Sequence, residues 1–99
     1  MPIMTGRKAM LEMLRIEGID YIFGNPGTSE SPIMHELESF PDLKYILVLQ
    51  EGVAMGMADA YARATKKPSF VNLHIETGLA NGISLLHNAF AGGTPIVLS

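Results

Sequence analysis

The alternation of short apolar runs with longer helical patterns constrains the fold of this sequence most. Four short runs rich in Ile, Val, Leu, Phe and Tyr occupy residues 21–23, 43–49, 69–74 and 95–98. Segments of helical periodicity lie before and between them, at residues 5–17, 31–40, 52–65 and 79–91. Short apolar strands that alternate with helices are typical of α/β proteins. We therefore predict an open parallel sheet with helices on both faces.

Local signals predict where the helices begin and end. Thr5 is a typical N-cap of the first helix and Gly18 a typical residue just past its end. Ser31 and Pro32 suit the N-cap and first position of the second helix. Residues 77–78 (Thr-Gly) predict a turn before the last helix.

Apolar patterning gives predictions for two further segments. Residues 43–49 predict a strand with both faces buried. A helix is predicted over residues 52–65, because one stripe at helical spacing contains Val53, Met57, Ala60, Tyr61 and Ala64. Small residues and Met also make this helix a candidate subunit interface.

Composition excludes several classes of protein. The 99 residues contain no cysteine, which excludes disulfides, thiolate metal sites and cysteine nucleophiles. A net charge of −3 with scattered Lys and Arg argues against a nucleic-acid surface. Neither an apolar leader nor a membrane-length apolar run occurs, so a cytoplasmic protein is expected. Because Ser99 directly follows an apolar run, we expect the chain to be the front part of something longer.

Three polar loops follow predicted strands, at residues 24–30, 50–52 and 74–81. Ligands bind at the carboxyl ends of strands in open parallel α/β sheets. Glu51 is either a first-turn glutamate favoured by the helix dipole or a carboxyl group in a partly apolar cleft. In the second case burial is expected to raise its pKa and suit it to proton exchange.

The loop at residues 24–28 (Gly-Asn-Pro-Gly-Thr) is neither a P-loop nor a dinucleotide fingerprint. It is either a Pro-Gly turn or a loop that brings backbone and the Thr28 hydroxyl close to a flat ligand. His74 and Glu76 have the H-x-E spacing of zinc deaminases, but the cysteines which that site needs are absent. No third metal ligand is evident, so we expect His74 to be a hydrogen-bonded partner and predict no metal site.

Three motifs together resemble the N-terminal pyrimidine-binding domain of thiamine diphosphate-dependent enzymes, the group of acetolactate synthase and benzoylformate decarboxylase. They lie at residues 21–30 (YIFGNPGTSE), 49–54 (LQEGVA) and 58–63 (ADAYAR). The resemblance covers nearly all of the chain. It implies the thiamine diphosphate-binding fold and a 2-oxo acid as the substrate.

The resemblance assigns roles to residues. Glu51 matches the glutamate that hydrogen-bonds the ring nitrogen of the cofactor's aminopyrimidine and favours its imino tautomer. Residues 25–27 (Asn25, Pro26 and Gly27) match the loop beside the cofactor. Thr28 matches a serine that meets the substrate carboxylate in benzoylformate decarboxylase, and His74 matches a proton-transfer histidine of the decarboxylases. Residues 75–82, with Glu76, depart from both the decarboxylase and the synthase loops.

The same resemblance predicts what a complete enzyme needs beyond this chain. In the family a later domain binds the diphosphate through Mg²⁺, with a motif that begins Gly-Asp-Gly and ends Asn-Asn. This sequence contains neither element, so residues 1–99 match a partial first domain without the middle and diphosphate-binding domains. We expect a decarboxylase that is a homodimer or homotetramer when complete, and an inactive chain in isolation. An acetolactate synthase-like carboligase and a non-catalytic pyrimidine-binding module are the alternatives.

Overall fold

A computed structural model describes residues 2–99. The helices in this range are α1 (Gly6–Ile16), α2 (Ser31–Glu36), α3 (Glu51–Thr65) and α4 (Ile75–Ala91). The strands are β1 (Tyr21–Gly24), β2 (Lys44–Leu47), β3 (Ser69–Asn72) and β4 (Ile96–Leu98). They form one sheet in the order β2-β1-β3-β4, and each neighbouring pair is parallel. The predicted α/β class with an open parallel sheet is confirmed.

Side chains alternate between the two faces of the central strands and thereby build two cores. Ile22 of β1 and Phe70 of β3 pack with Leu11 of α1 on one face. Phe23 of β1 and Val71 of β3 pack on the other face with apolar residues of α3. Because successive strand residues point to opposite sides, both faces of the sheet need a helical cover. The prediction of helices on both faces is thus confirmed.

The predicted start and end of α1 were correct, and the predicted start of α2 was displaced by one residue. The Thr5 side chain accepts a hydrogen bond from the Lys8 backbone N–H, and Gly18 adopts a left-handed φ of +77°. Ser31 is the first residue of α2 rather than its N-cap, because a 3₁₀ turn over Thr28–Glu30 already precedes it.

The prediction that both faces of the second strand are buried was wrong. β2 lies at the edge of the sheet, and its burial decreases toward both ends. Leu47 and Leu49 are 62% and 88% exposed. An apolar run alone does not distinguish an edge strand from a central one, because that difference depends on the strand order.

The helix predicted over residues 52–65 is present as α3, and most of the stripe that indicated it faces away from the core, although Tyr61 packs beside Phe23. Val53 and Met57 are 50% and 40% exposed, and Ala60 and Ala64 are also exposed. The buried face consists of Ala54, Met55, Ala58 and Ala62. These mostly small side chains let α3 lie close to the sheet, and Gly82 of α4 lies against Met55.

The turn predicted at residues 77–78 is helical instead. Helix α4 begins at Ile75, and the Gly78 N–H donates to the His74 carbonyl at 3.1 Å. Gly78 is buried against Leu73 and the Glu51 side chain, so its small size serves close packing rather than a turn. No helix within residues 2–99 is long and apolar enough to cross a membrane.

Candidate active site

The loops that follow the strands meet at one edge of the sheet. Gly24, the last residue of β1, is paired in register with Asn72, the last residue of β3. The chain after β1 therefore lies beside the chain after β3, and α3 begins shortly after the neighbouring strand β2. Polar side chains from four segments contact one another here, in two small clusters.

The first cluster surrounds Glu51, which is the first residue of α3 and only 9% exposed. One carboxylate oxygen accepts a hydrogen bond from the Asn25 side-chain amide at 3.4 Å. The other accepts from the Asn81 side-chain amide at 3.1 Å. Two of the three polar loops expected at strand ends, those at residues 24–30 and 50–52, are therefore in contact, and α4 contributes a second amide.

The surroundings of Glu51 lower the pKa of its carboxyl group below the ordinary value of 4.5. The largest cause is the hydrogen bond from its own backbone N–H at the start of α3, and burial acts in the opposite direction. The amides of Asn81 and Asn25 and the charge of His74 lower the pKa further. The expectation of a raised pKa was therefore wrong, because backbone and amide donors outweigh the cost of burial.

The second cluster joins His74 to the loop after β1. His74 Nδ1 lies 2.8 Å from Oε2 of Glu30, which is 7% exposed. The same oxygen accepts a hydrogen bond from the Gly27 backbone N–H at 2.8 Å. A Cβ atom on Gly27 would collide with the imidazole ring, so only glycine permits this approach. His74 is thus a hydrogen-bonded partner, as its position at a strand end predicted.

The remaining predicted residues lie beside these clusters without joining them. Thr28 is exposed at the start of the 3₁₀ turn, and its hydroxyl has no hydrogen bond within residues 2–99. Pro26 is half-buried between Asn25 and Gly27. Glu76 is exposed in the first turn of α4 and lines a shallow hollow with Leu98 and Ser99 at the end of β4. Among residues 2–99, no three His, Asp or Glu side chains are grouped to hold a metal ion.

Sequence reasoning missed two residues of the site, Asn81 and Glu30. Asn81 lies directly before Gly82, and the spacing of Gly78 and Gly82 marks the face of α4 that approaches α3. That small-residue spacing could have pointed to Asn81. Glu30 follows Gly27 by three residues, which is the spacing of a capping box. The structure has one of the two hydrogen bonds of a capping box, from the Gly27 N–H to the Glu30 carboxylate, because glycine has no side chain to accept the other. The spacing was nevertheless the available signal.

The family described as "Thiamine pyrophosphate enzyme, N-terminal TPP binding domain" matches residues 4–98. The chain belongs to this family. The resemblance carried by the three motifs is thereby confirmed.

Among its relatives, benzoylformate decarboxylase of Pseudomonas aeruginosa is 45% identical over 96 residues. That alignment covers 96% of this chain and 18% of the relative. The acetolactate synthase large subunit of Haemophilus influenzae is 33% identical, over 96% of this chain and 17% of the relative. The chain thus spans less than a fifth of the length of these relatives.

A solved structure of the thiamine diphosphate-dependent 4-hydroxybenzoylformate decarboxylase of Rhodococcus jostii matches with a TM-score of 0.89. Its sequence is 35% identical, and the match covers 96% of this chain and 18% of that one. The fold of the chain is therefore the fold of this enzyme family.

Proposed function

We propose that this chain is a partial pyrimidine-binding domain of a thiamine diphosphate-dependent 2-oxo acid decarboxylase resembling benzoylformate decarboxylase. The observation that carries the proposal is the environment of Glu51. Its carboxylate is buried at the carboxyl edge of a parallel sheet, between amides from two other segments. The 45% identity to a benzoylformate decarboxylase supports the same assignment.

The residues at this edge fit an aminopyrimidine ring in their hydrogen-bonding chemistry. Each oxygen of Glu51 has one side-chain amide donor, and a carboxylate oxygen can accept more than one hydrogen bond. A ring N–H therefore finds an acceptor whose orientation is already set by Asn25 and Asn81. The loop at residues 25–27 lies beside this carboxylate and would hold one side of the ring.

Thiamine diphosphate, when bound, supplies the electron sink that decarboxylation of a 2-oxo acid requires. The part assigned to Glu51 is to hold a proton at the ring nitrogen of the aminopyrimidine. The pKa of its carboxyl group is lowered, so Glu51 is an anion near neutral pH and attracts that proton. Its position at the start of α3 keeps the carboxylate fixed while it holds the proton at the ring nitrogen.

The part assigned to His74 is proton transfer through Nε2, since Nδ1 is engaged by Glu30. The imidazole is 29% exposed, so a substrate can approach it. Thr28 is assigned to the substrate carboxylate, because its hydroxyl is exposed beside the Gly27 loop and free to donate.

The remaining parts of the enzyme are also proposed. Diphosphate and Mg²⁺ are assigned to a domain outside residues 1–99, because the sequence lacks the motif for them. A homodimer or homotetramer is proposed for the complete enzyme, and the exposed apolar side chains of Val53 and Met57 on α3 support a subunit contact there.

A carboligase of the acetolactate synthase kind is the second candidate, supported by the 33% identity to such an enzyme. His74 favours the decarboxylase, because it matches a proton-transfer histidine of that branch. A non-catalytic pyrimidine-binding module is the third candidate, and the presence of Glu51 argues against it.

The proposal is tested on the complete enzyme with thiamine diphosphate and Mg²⁺, by measuring CO₂ release from benzoylformate and from pyruvate. We expect faster release from benzoylformate. Glu51→Gln should lower the rate by at least about 100-fold, the usual contribution of a positioned proton-transfer group. Glu38→Gln removes an exposed carboxylate of the 3₁₀ turn over Leu37–Ser39, which has no hydrogen bond to a site residue within residues 2–99, and should leave the rate unchanged.

The alternatives give different results. Formation of acetolactate from pyruvate without benzoylformate turnover would identify the carboligase instead. Neither product, in a protein that binds thiamine diphosphate, would identify the non-catalytic module.

A further inference from the structure

We propose that Glu30 is a positioning residue that fixes the tautomer and orientation of His74, and this inference rests on the proposed function. Glu30 lies in the 3₁₀ turn over Thr28–Glu30, and His74 lies 44 positions later in the chain. Their side chains meet at 2.8 Å, between Glu30 Oε2 and His74 Nδ1. The role assigned to Glu30 is to keep the proton on Nδ1, so that Nε2 can accept a proton.

The hydrogen-bond geometry around Oε2 determines which nitrogen carries the proton. The Gly27 N–H already donates to this oxygen at 2.8 Å. An ionised carboxylate only accepts hydrogen bonds, so His74 must donate from Nδ1. A neutral imidazole that is protonated at Nδ1 has an unprotonated Nε2.

Burial makes this contact worth more than a surface ion pair. The side chain of Glu30 is 9% exposed, and that of His74 is 29% exposed. A carboxylate with so little access to water depends on protein donors, and Gly27 and His74 supply them. Nearby, burial and the charge of Glu30 raise the pKa of the Tyr45 hydroxyl to about 12, so Tyr45 adds no competing negative charge.

Packing against Gly27 restricts the imidazole ring further. The ring fills the space that a Cβ atom at Gly27 would need. The ring is thus held by a backbone surface at Gly27 and by a carboxylate at Glu30. A histidine that transfers protons works best when its tautomer and orientation are set before the substrate arrives.

The test is ¹⁵N NMR of the full 99-residue chain, which reports the protonation of each imidazole nitrogen. The sequence has three histidines, and His35 and His87 are exposed on helices and serve as references in the same spectrum. Spectra are recorded over a range of pH, and the comparison is made where they show that the imidazole of His74 is neutral. We expect His74 to carry its proton on Nδ1, and His35 and His87 to favour Nε2 as free imidazoles do.

Three variants separate the contact from a general effect of charge. Glu30→Ala should move the proton of His74 to Nε2, whereas Glu30→Gln keeps an acceptor oxygen and should retain the Nδ1 form. Glu76→Gln removes a carboxylate two positions from His74 that has no hydrogen bond to it within residues 2–99, and should change nothing.

A wild-type His74 that carries its proton on Nε2 would overturn the inference without any variant. An unchanged His74 signal in a folded Glu30→Ala chain would overturn it as well. If Glu30→Ala does not fold, the wild-type spectrum still tests the inference, because it shows which nitrogen of His74 carries the proton.

Turnover of the complete enzyme gives a second readout. Glu30→Ala should lower kcat about tenfold or more with a smaller change in KM, and Glu30→Gln should restore most of the loss. Full activity of Glu30→Ala would overturn the positioning role. A wild-type enzyme without turnover would instead overturn the proposed function. The ¹⁵N spectrum of the chain would still show whether Glu30 keeps the proton of His74 on Nδ1.

Discussion

At the scale of single residues, the candidate site depends on carboxylates that backbone and amide N–H groups stabilise. Glu51 is held by its own backbone N–H and two asparagine amides, and Glu30 by Gly27 and His74. The motifs identified Glu51 and His74, because both residue types stand out at strand ends. They did not identify Asn81, since its contact with Glu51 exists only when α4 packs on α3. The direction of the pKa shift of Glu51 depends on the same contacts and was predicted wrongly.

The lowered pKa of Glu51 makes the stability of the chain depend on pH. A carboxyl group whose pKa is lower when folded contributes stability above its unfolded pKa, ordinarily 4.5, and loses it as the pH falls through the folded value. Glutamine at position 51 has no carboxyl group to protonate, so the Glu51→Gln variant lacks this pH-dependent contribution. We expect the free energy of unfolding, measured in urea, to fall less steeply below pH 4.5 in Glu51→Gln than in the wild type. Equal slopes in the two proteins would contradict the lowered pKa.

At the scale of elements, periodicity predicted the presence and order of helices and strands, but the burial of individual faces depended on tertiary packing. Val53 and Met57 lie at helical spacing but are exposed, and α3 packs through the face that contains Met55 and three alanines, whose small side chains permit a closer approach. Gly78 was interpreted as a turn residue because glycine is common in turns. Its close contact with Leu73 and Glu51 shows a packing role that one sequence does not reveal.

Ile75, the first residue of α4, provides a test of local strain. Its φ of +50° lies in the left-handed region, which costs a β-branched residue about 1–2 kcal/mol. Ile75→Gly should leave the free energy of unfolding unchanged or raise it. Leu79→Gly is a matched control, since the two side chains are 48% and 42% exposed, and it should lower stability by about 1 kcal/mol or more inside the helix. Equal losses in thermal unfolding of the two variants would contradict strain at Ile75.

At the scale of the whole molecule, the chain has the fold of a thiamine diphosphate enzyme domain and spans 18% of a benzoylformate decarboxylase. Its sequence predicted the family because three motifs lie in the expected order and spacing. The proposed diphosphate and Mg²⁺ site lies outside residues 1–99. We therefore expect the isolated chain to have half of a cofactor site, with little affinity for thiamine diphosphate.

The central claim is that Glu51 activates the aminopyrimidine, and exchange of the thiazolium C2 proton for deuterium measures that activation without a substrate. The complete enzyme should accelerate this exchange, and Glu51→Gln should slow it by at least about 100-fold. The isolated chain should leave the exchange at the rate of free thiamine diphosphate. A Glu51→Gln enzyme that exchanges the proton as fast as the wild type would contradict the account.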